Sequence, residues 1–144
     1  MEYCLKQTPL LVNVVNKATK EFGIPAIECY GGRKRVPFAI KKHNVGADKW
    51  LGYILNSKLV ITDSFHAVAF CINNNKPFYV ILSANGNRII STLELFGLTD
   101  RLITSENDVD LSKEIDWAPI NKKLEEVRKE SQDWLKESLI ESFK

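Results

Sequence analysis

Lys58-Leu-Val-Ile-Thr-Asp-Ser-Phe-His-Ala-Val-Ala-Phe-Cys-Ile-Asn-Asn-Asn-Lys-Pro-Phe78 is the stretch that decides the fold. Its opening, Lys58 to Thr62, is β-branched and almost continuously apolar, as in a strand buried on both faces of a parallel sheet. Within two residues of Thr62 the pattern becomes helical, and Ser64 to Asn73 reads as a helix. Lys76-Pro77 breaks that helix, and Phe78 to Leu82 reads as the next strand. Strand, helix and strand in so short a span form a βαβ unit.

The same alternation extends in both directions. Upstream, Thr8-Pro9 is an N-cap followed by proline at the first helical position. Leu10, Leu11, Val14, Val15, Ala18 and Phe22 then recur at helical spacing, and Gly23 supplies the stop. Ile24 to Tyr30 reads as a strand closed by a Gly31-Gly32 turn, and Val36 to Ile40 as a further short strand. Gly46 to Asn56 carries Trp50, Leu51, Ile54 and Leu55 on one helical face. Downstream, Arg88 to Phe96 is helical with Gly97 as its stop, and Pro119 opens a last helix striped by Ile120, Leu124, Val127, Trp134 and Leu135. Cys4 and its neighbours look like the remnant of a first strand. The expected fold class is α/β: a Rossmann-like parallel sheet with helices on both faces. Residues 1–144 form one such domain, and the chain is expected to begin inside or just before a domain.

Composition narrows the function classes. The chain has 144 residues, 44% of them hydrophobic and 26% charged, which suits one globular domain or one lobe. A net charge of +2 is too small to point to nucleic acid. No apolar stretch approaches the ~20 residues of a membrane span, and no signal-peptide pattern opens the chain. Cys4, Cys29 and Cys71 have neither zinc spacing nor the pairing of a disulfide scaffold, so buried thiols in a cytoplasmic protein are expected. His43 and His66 share no ligand-like spacing with acids, so no metal site is expected.

Ligands of open α/β sheets bind at the carboxyl ends of the strands. The strand ending at Thr62 leads directly into a helix start, which presents unpaired backbone N–H groups and a partial positive charge. Asp63 or Ser64 is placed to cap that helix, with Phe65 and His66 in its first turn. An imidazole there adds a donor, and the set suits a phosphate or a carboxylate. A histidine in a first helical turn is also common as an ordinary polar residue, so spacing alone does not separate the two readings.

The wording of the segment goes further. Val60 to Phe78 closely resembles the signature region of the polysaccharide pyruvyl transferase family: an apolar strand, Thr-(Asn/Asp)-Ser-Phe-His-Gly, an apolar helix, then Lys-Pro-Phe. The resemblance continues at Arg88-Ile-Ile-Ser-Thr, at Phe96-Gly-Leu-Thr-Asp-Arg101, at Gly46-Ala-Asp-Lys-Trp-Leu51 and in the final helix. It covers the chain from about residue 40 onward. Ala67 stands where glycine is usual, Cys71 where serine is common, Glu94 where leucine is usual and Ala47 where proline is usual. The resemblance implies a two-lobed, glycosyltransferase-B-like fold whose carboxy-terminal, donor-binding half is this chain, with the amino-terminal lobe absent. It implies transfer of a pyruvyl group from phosphoenolpyruvate to two hydroxyls of a sugar of a cell-surface polysaccharide, as a ketal. Phosphoenolpyruvate is then a co-substrate, and no cofactor is needed.

On this sequence the resemblance gives the donor-contacting role to His66. The expected donor site is His66 with Ser64, Phe65, Ala67 and Arg88. His66 is also the candidate proton donor. Arg88 opens the next helix at the same sheet edge, where its guanidinium suits a carboxylate or phosphate; a surface salt bridge is its other reading. Ser64 reads first as a helix cap, and Arg101 as a local partner of Asp100 or Glu94. Arg33, Lys34 and Arg35 form a basic loop, either a solvated surface or a guide for an anionic, lipid-linked glycan. His43 reads as exposed, Asp48 as a dipole-complementing cap, and Trp50, Trp117 and Trp134 as core or interface anchors.

The expected partners are phosphoenolpyruvate and a saccharide acceptor, lipid-linked in one version. An amino-terminal lobe on a separate chain or a second copy would complete the cleft. A cytoplasmic location, including the inner face of the membrane, fits that chemistry. Two rival readings stand beside this one. A glycosyltransferase using a nucleotide-sugar donor would need a glutamate for the ribose hydroxyls, for which Glu94 is the nearby candidate. A non-catalytic module, completed by a partner, would expose apolar surface on one face.

Overall fold

A computed structural model of the chain describes residues 1–4, 6–29, 36–82 and 86–142. Among the described residues five short strands form one sheet: β1 (Glu2–Tyr3), β2 (Ile27–Glu28), β3 (Ile40–Lys41), β4 (Val60–Thr62) and β5 (Phe78–Val80). Their spatial order is β3-β2-β1-β4-β5, and every pairing is parallel. Beyond β5, Leu102 bridges Val80 in parallel and the Ile103 amide donates to the Val80 carbonyl at 2.8 Å. Among the described residues the α-helices α1 (Pro9–Phe22), α2 (Ala47–Asn56) and α3 (Phe65–Asn73) connect strands, and α4 (Asn87–Leu95) and α5 (Trp117–Ser142) follow β5. This is the Rossmann-like arrangement expected from the alternation.

Strand alternation sends side chains to two faces. Cys4, Ala26, Leu59, Ile61, Tyr79 and Ile81 face one core, closed by Leu11, Val14, Val15 and Ala18 of α1. Val60, Phe78 and Val80 face the other, closed by Ile54 of α2, Val68, Cys71 and Ile72 of α3, Ile89 and Leu93 of α4, and Ile120 of α5. The strands Val60–Thr62 and Phe78–Val80 are thus buried on both sides, the reason they read as continuously apolar. Cys4, Cys29 and Cys71 are free, buried thiols. No helix among the described residues is long and apolar enough to cross a membrane.

Local signals set the element ends. Thr8 Oγ1 accepts the Leu11 amide at 3.2 Å, Pro9 opens α1, and Gly23 closes it in the left-handed region at φ 65°. The Lys76 amide reaches back to the Cys71 carbonyl at 2.9 Å, which places Asn75 in the left-handed region at φ 51°. The helix therefore ends on its asparagines, before Lys76-Pro77.

Three expected boundaries move. Val36 to Ala39 is a turn, because Pro37 has no amide to donate and the Ala39 amide bonds back to the Val36 carbonyl at 3.2 Å; β3 begins only at Ile40. The strand expected from Ile24 to Tyr30 pairs only over Ile27–Glu28 among the described residues. The last helix starts at Trp117, where Asp116 Oδ1 accepts the Ala118 amide at 3.1 Å, and Pro119 lies inside its first turn. The Gly31-Gly32 turn and the basic run Arg33, Lys34 and Arg35 lie outside the described residues.

Candidate functional site

β1 leads to β2 and β3 on one side, and the chain then returns to place β4 on the other side of β1. The boundary between β1 and β4 is therefore the topological switch point, and the crevice at its carboxyl end is where an open α/β sheet binds ligands. The turn Thr62 to Phe65 lies at that end.

His66 is exposed and is the second residue of α3. Its ring stands edge-on to the ring of Phe65, with centroids 6.0 Å apart and planes at 71°. Phe65 is half-buried and packs against the α2–α5 core. Arg88, exposed and second in α4, lies over the same ring with its guanidinium carbon 5.2 Å from the centroid. Phe65 is thus an anchored shelf against which an imidazole and a guanidinium from successive helix starts both lie. Ala67 is fully buried, so its small side chain lets α3 press onto the sheet.

Ser64 occupies the N-cap position, but its side chain makes no capping hydrogen bond. The Ser64 amide instead donates to Thr62 Oγ1 at 3.0 Å. The Asp63 carboxylate turns away to the Lys6 amide at 3.2 Å. The α3 ladder begins with the Val68 amide on the Ser64 carbonyl at 3.1 Å, so the amides of Phe65, His66 and Ala67 precede it. Those three N–H groups are the orphan donors that a helix start offers to an anion.

The remaining sequence candidates lie elsewhere. Arg101 is only 3% exposed. It donates to the carbonyls of Lys113 at 3.1 Å and Glu114 at 3.2 Å, and lies over the Tyr79 ring. Its Nε is 3.4 Å from Asp100 Oδ2, close enough for attraction though without hydrogen-bond geometry. Arg101 therefore ties the segment after α4 to the segment before α5, with Asp100 as the local partner expected. Glu94 is exposed in the last turn of α4, six residues from Arg88, which is about 9 Å along a helix. That distance removes it from the turn carrying His66. His43 is exposed, and Asp48 sits in the first turn of α2.

Trp50 is a core anchor, edge-on to Tyr3 at 5.2 Å and to Phe70 at 5.4 Å. Trp117 packs against the same core, whereas Trp134 is 67% exposed. Cavities of about 270 and 360 Å³ open on the opposite, amino edge, around Phe22, Lys58 and Leu59. They are lined mainly by apolar groups and include neither His66 nor Arg88. Among the described residues no His, Cys, Asp or Glu group has the makings of a metal site.

Sequence reasoning missed the tasks of Thr62 and Asp63, because side-chain bonds to a neighbouring strand carry no periodic signature. It also missed Glu2 and Glu28, which are register partners in β1 and β2 and each 3% exposed. Burial, then the Glu28 charge, pushes the Glu2 carboxyl up to about 7. Glutamate at an inward strand position was the available signal.

Comparison with family models finds a match to polysaccharide pyruvyl transferase over residues 10–85. No curated protein and no solved structure gives a significant match. The matched span runs from α1 through β5 and contains the whole Thr62-to-His66 turn.

Proposed function

The chain belongs to the polysaccharide pyruvyl transferase family, and from that premise we propose that the carboxyl edge of its sheet binds phosphoenolpyruvate and supports transfer of the pyruvyl group to a saccharide. The observation that carries this reading is the shared contact of His66 and Arg88 with the Phe65 ring. Two groups able to bear positive charge, from two helix starts, meet at one edge beside three orphan amides.

Phosphoenolpyruvate carries a phosphate and a carboxylate on one small carbon frame. A guanidinium holds either in two-point geometry, while amides at a helix start take the other. In the transfer, the methylene carbon gains a proton and the adjacent carbon develops positive charge. The bond from that carbon to the phosphate oxygen breaks, and two sugar oxygens bond there as a cyclic ketal. Of the two hydroxyl protons displaced, one balances the new methyl group and the other leaves with phosphate. His66 is assigned the proton transfer, and Arg88 with the α3 amides the neutralisation of the departing charge. The acceptor would approach from a facing lobe, as the two-lobed architecture proposed for the whole enzyme requires.

Calorimetric titration with phosphoenolpyruvate tests the assignment. His66→Ala and Arg88→Ala should each weaken binding by roughly tenfold or more, the scale of one charge-assisted contact. His66→Ala should also lower donor turnover about 100-fold where transfer is assayed. Native-like affinity and turnover in both variants would remove these residues from the donor site.

A further inference from the structure

Thr62 and Asp63 belong to the motif, yet their side chains reach β1 and the segment just after it rather than capping the helix they precede. Thr62 is fully buried. Its hydroxyl donates to the Tyr3 carbonyl and accepts the Ser64 amide. Asp63 is 6% exposed, and its Oδ2 accepts the Lys6 amide. Two of these bonds cross the seam between β1 and β4, and the third locks the turn on the β4 side.

That seam needs fastening. The ladder between the two strands ends at the Tyr3–Thr62 pair. Past it the chains diverge, since β1 leads to α1 on one face of the sheet and β4 to α3 on the other. Ser64 does not cap α3 with its side chain, so the packing of Phe65 and Ala67 holds the first turn against the sheet without a hydrogen bond from its own cap residue. The Thr62 hydroxyl and the Asp63 carboxylate add side-chain bonds across the seam beyond the paired strand residues. A buried acceptor so placed resists displacement, because leaving it unpaired is costly.

We propose that Thr62 and Asp63 are positioning residues, a clasp that holds the exit of β1 against the first turn of α3 and so fixes where His66 and the orphan amides stand in the switch-point crevice. The consequence for the donor rests on the reading given above; the clasp itself rests on the three hydrogen bonds. A site of this kind is sensitive to small errors, since displacement of about 1 Å can cost on the order of 100-fold in rate.

The test uses the chain with Thr62→Val, Asp63→Ala and Asp63→Asn. Thr62→Val keeps the shape and removes the hydroxyl; Asp63→Asn keeps one carbonyl oxygen for Lys6. Amide hydrogen exchange is measured at Lys6 and Ser64, with the buried Val14 and Ile72 amides as controls of the fold. Binding is measured with phosphoenolpyruvate and, separately, with inorganic phosphate. Exchange should quicken at Lys6 in Asp63→Ala and at Ser64 in Thr62→Val by about tenfold or more, with the core amides still protected. Both variants should bind the anions about tenfold more weakly, and Asp63→Asn should recover most of the loss. If the Asp63→Ala core loses protection, Thr62→Val and Asp63→Asn carry the comparison.

Unchanged exchange at Lys6, or quickened exchange with anion affinity unchanged, overturns the clasp. Native binding of inorganic phosphate without phosphoenolpyruvate would sink the donor reading while the clasp is still judged on phosphate. Native binding of neither anion would sink the donor reading, and the clasp is then judged on exchange at Lys6 and Ser64 alone.

Discussion

Replacing Glu2 by Gln should make the protein more stable above neutral pH. Glu2 lies in β1 directly beside Glu28 of β2, and both are almost wholly removed from water. Burial is the largest influence on its carboxyl and the Glu28 charge the next; together they raise it from 4.5 to about 7. Asp63 adds a smaller push in the same direction, and the hydrogen bond from the Cys4 amide opposes it. In the unfolded chain the group ionises at its ordinary value. The folded chain therefore holds a proton that the unfolded chain has released, and stability falls as pH rises from the ordinary value through about 7.

At about 1.4 kcal/mol per pH unit, that interval corresponds to roughly 3 kcal/mol lost by mildly alkaline pH. Gln has nearly the same shape and keeps a carbonyl oxygen for the Cys4 amide, which Glu2 Oε1 accepts at 2.7 Å. Urea denaturation across about pH 5 to 8 should show the native chain weakening and Glu2→Gln staying flatter, with a gap of roughly 2–3 kcal/mol at the alkaline end. Near the ordinary glutamate value the two should converge. Profiles that run parallel over the whole range would refute the reasoning.

Arg101→Leu should cost roughly 2–4 kcal/mol, because the carbonyls of Lys113 and Glu114 lose two charge-assisted bonds from the buried guanidinium, and Arg101→Lys should not rescue it since one ammonium lacks the two-point fork; a denaturation midpoint unchanged in Arg101→Leu contradicts this. Burial pushes the Cys71 thiol up to about 12 and Cys29 up to about 11, so iodoacetamide at mildly alkaline pH should label the native chain slowly and the urea-unfolded chain quickly. Equal labelling rates in the two states would contradict the burial of these thiols.

Much of this fold is legible because parallel sheets write a strong signal. Val60 to Thr62 and Phe78 to Val80 are buried on both faces and cannot be other than apolar at most positions. The Thr8-Pro9 start and the Gly23 stop carry their own physical causes, and the structure honours both. The strands on the β3 side of the sheet are less legible. β2 and β3 are two residues long, too short for any periodicity, and Pro37 turned an apparent strand into a bend.

At the site, the place of His66 followed from the abrupt strand-to-helix change, and that of Arg88 from the next one. What the sequence did not disclose is how the turn between them is held. A serine before a helix reads as a cap, yet here the amide of Ser64 is taken by Thr62 and the neighbouring carboxylate by Lys6. Such bonds depend on which strands are neighbours, and the order β3-β2-β1-β4-β5 is a tertiary fact. Arg101 shows the same limit, since its pairing with Asp100 was readable from the sequence but its bonds to the carbonyls of Lys113 and Glu114 depend on the chain folding back over it.

The central claim is that an enol phosphate seats on the first turn of α3. Backbone amide shifts followed while phosphoenolpyruvate is added test it most directly. The account predicts the largest changes at Phe65, His66, Ala67 and Arg88, with those changes lost in His66→Ala. Changes centred on Phe22 and Leu59 at the amino edge, or none at the start of α3, would contradict it.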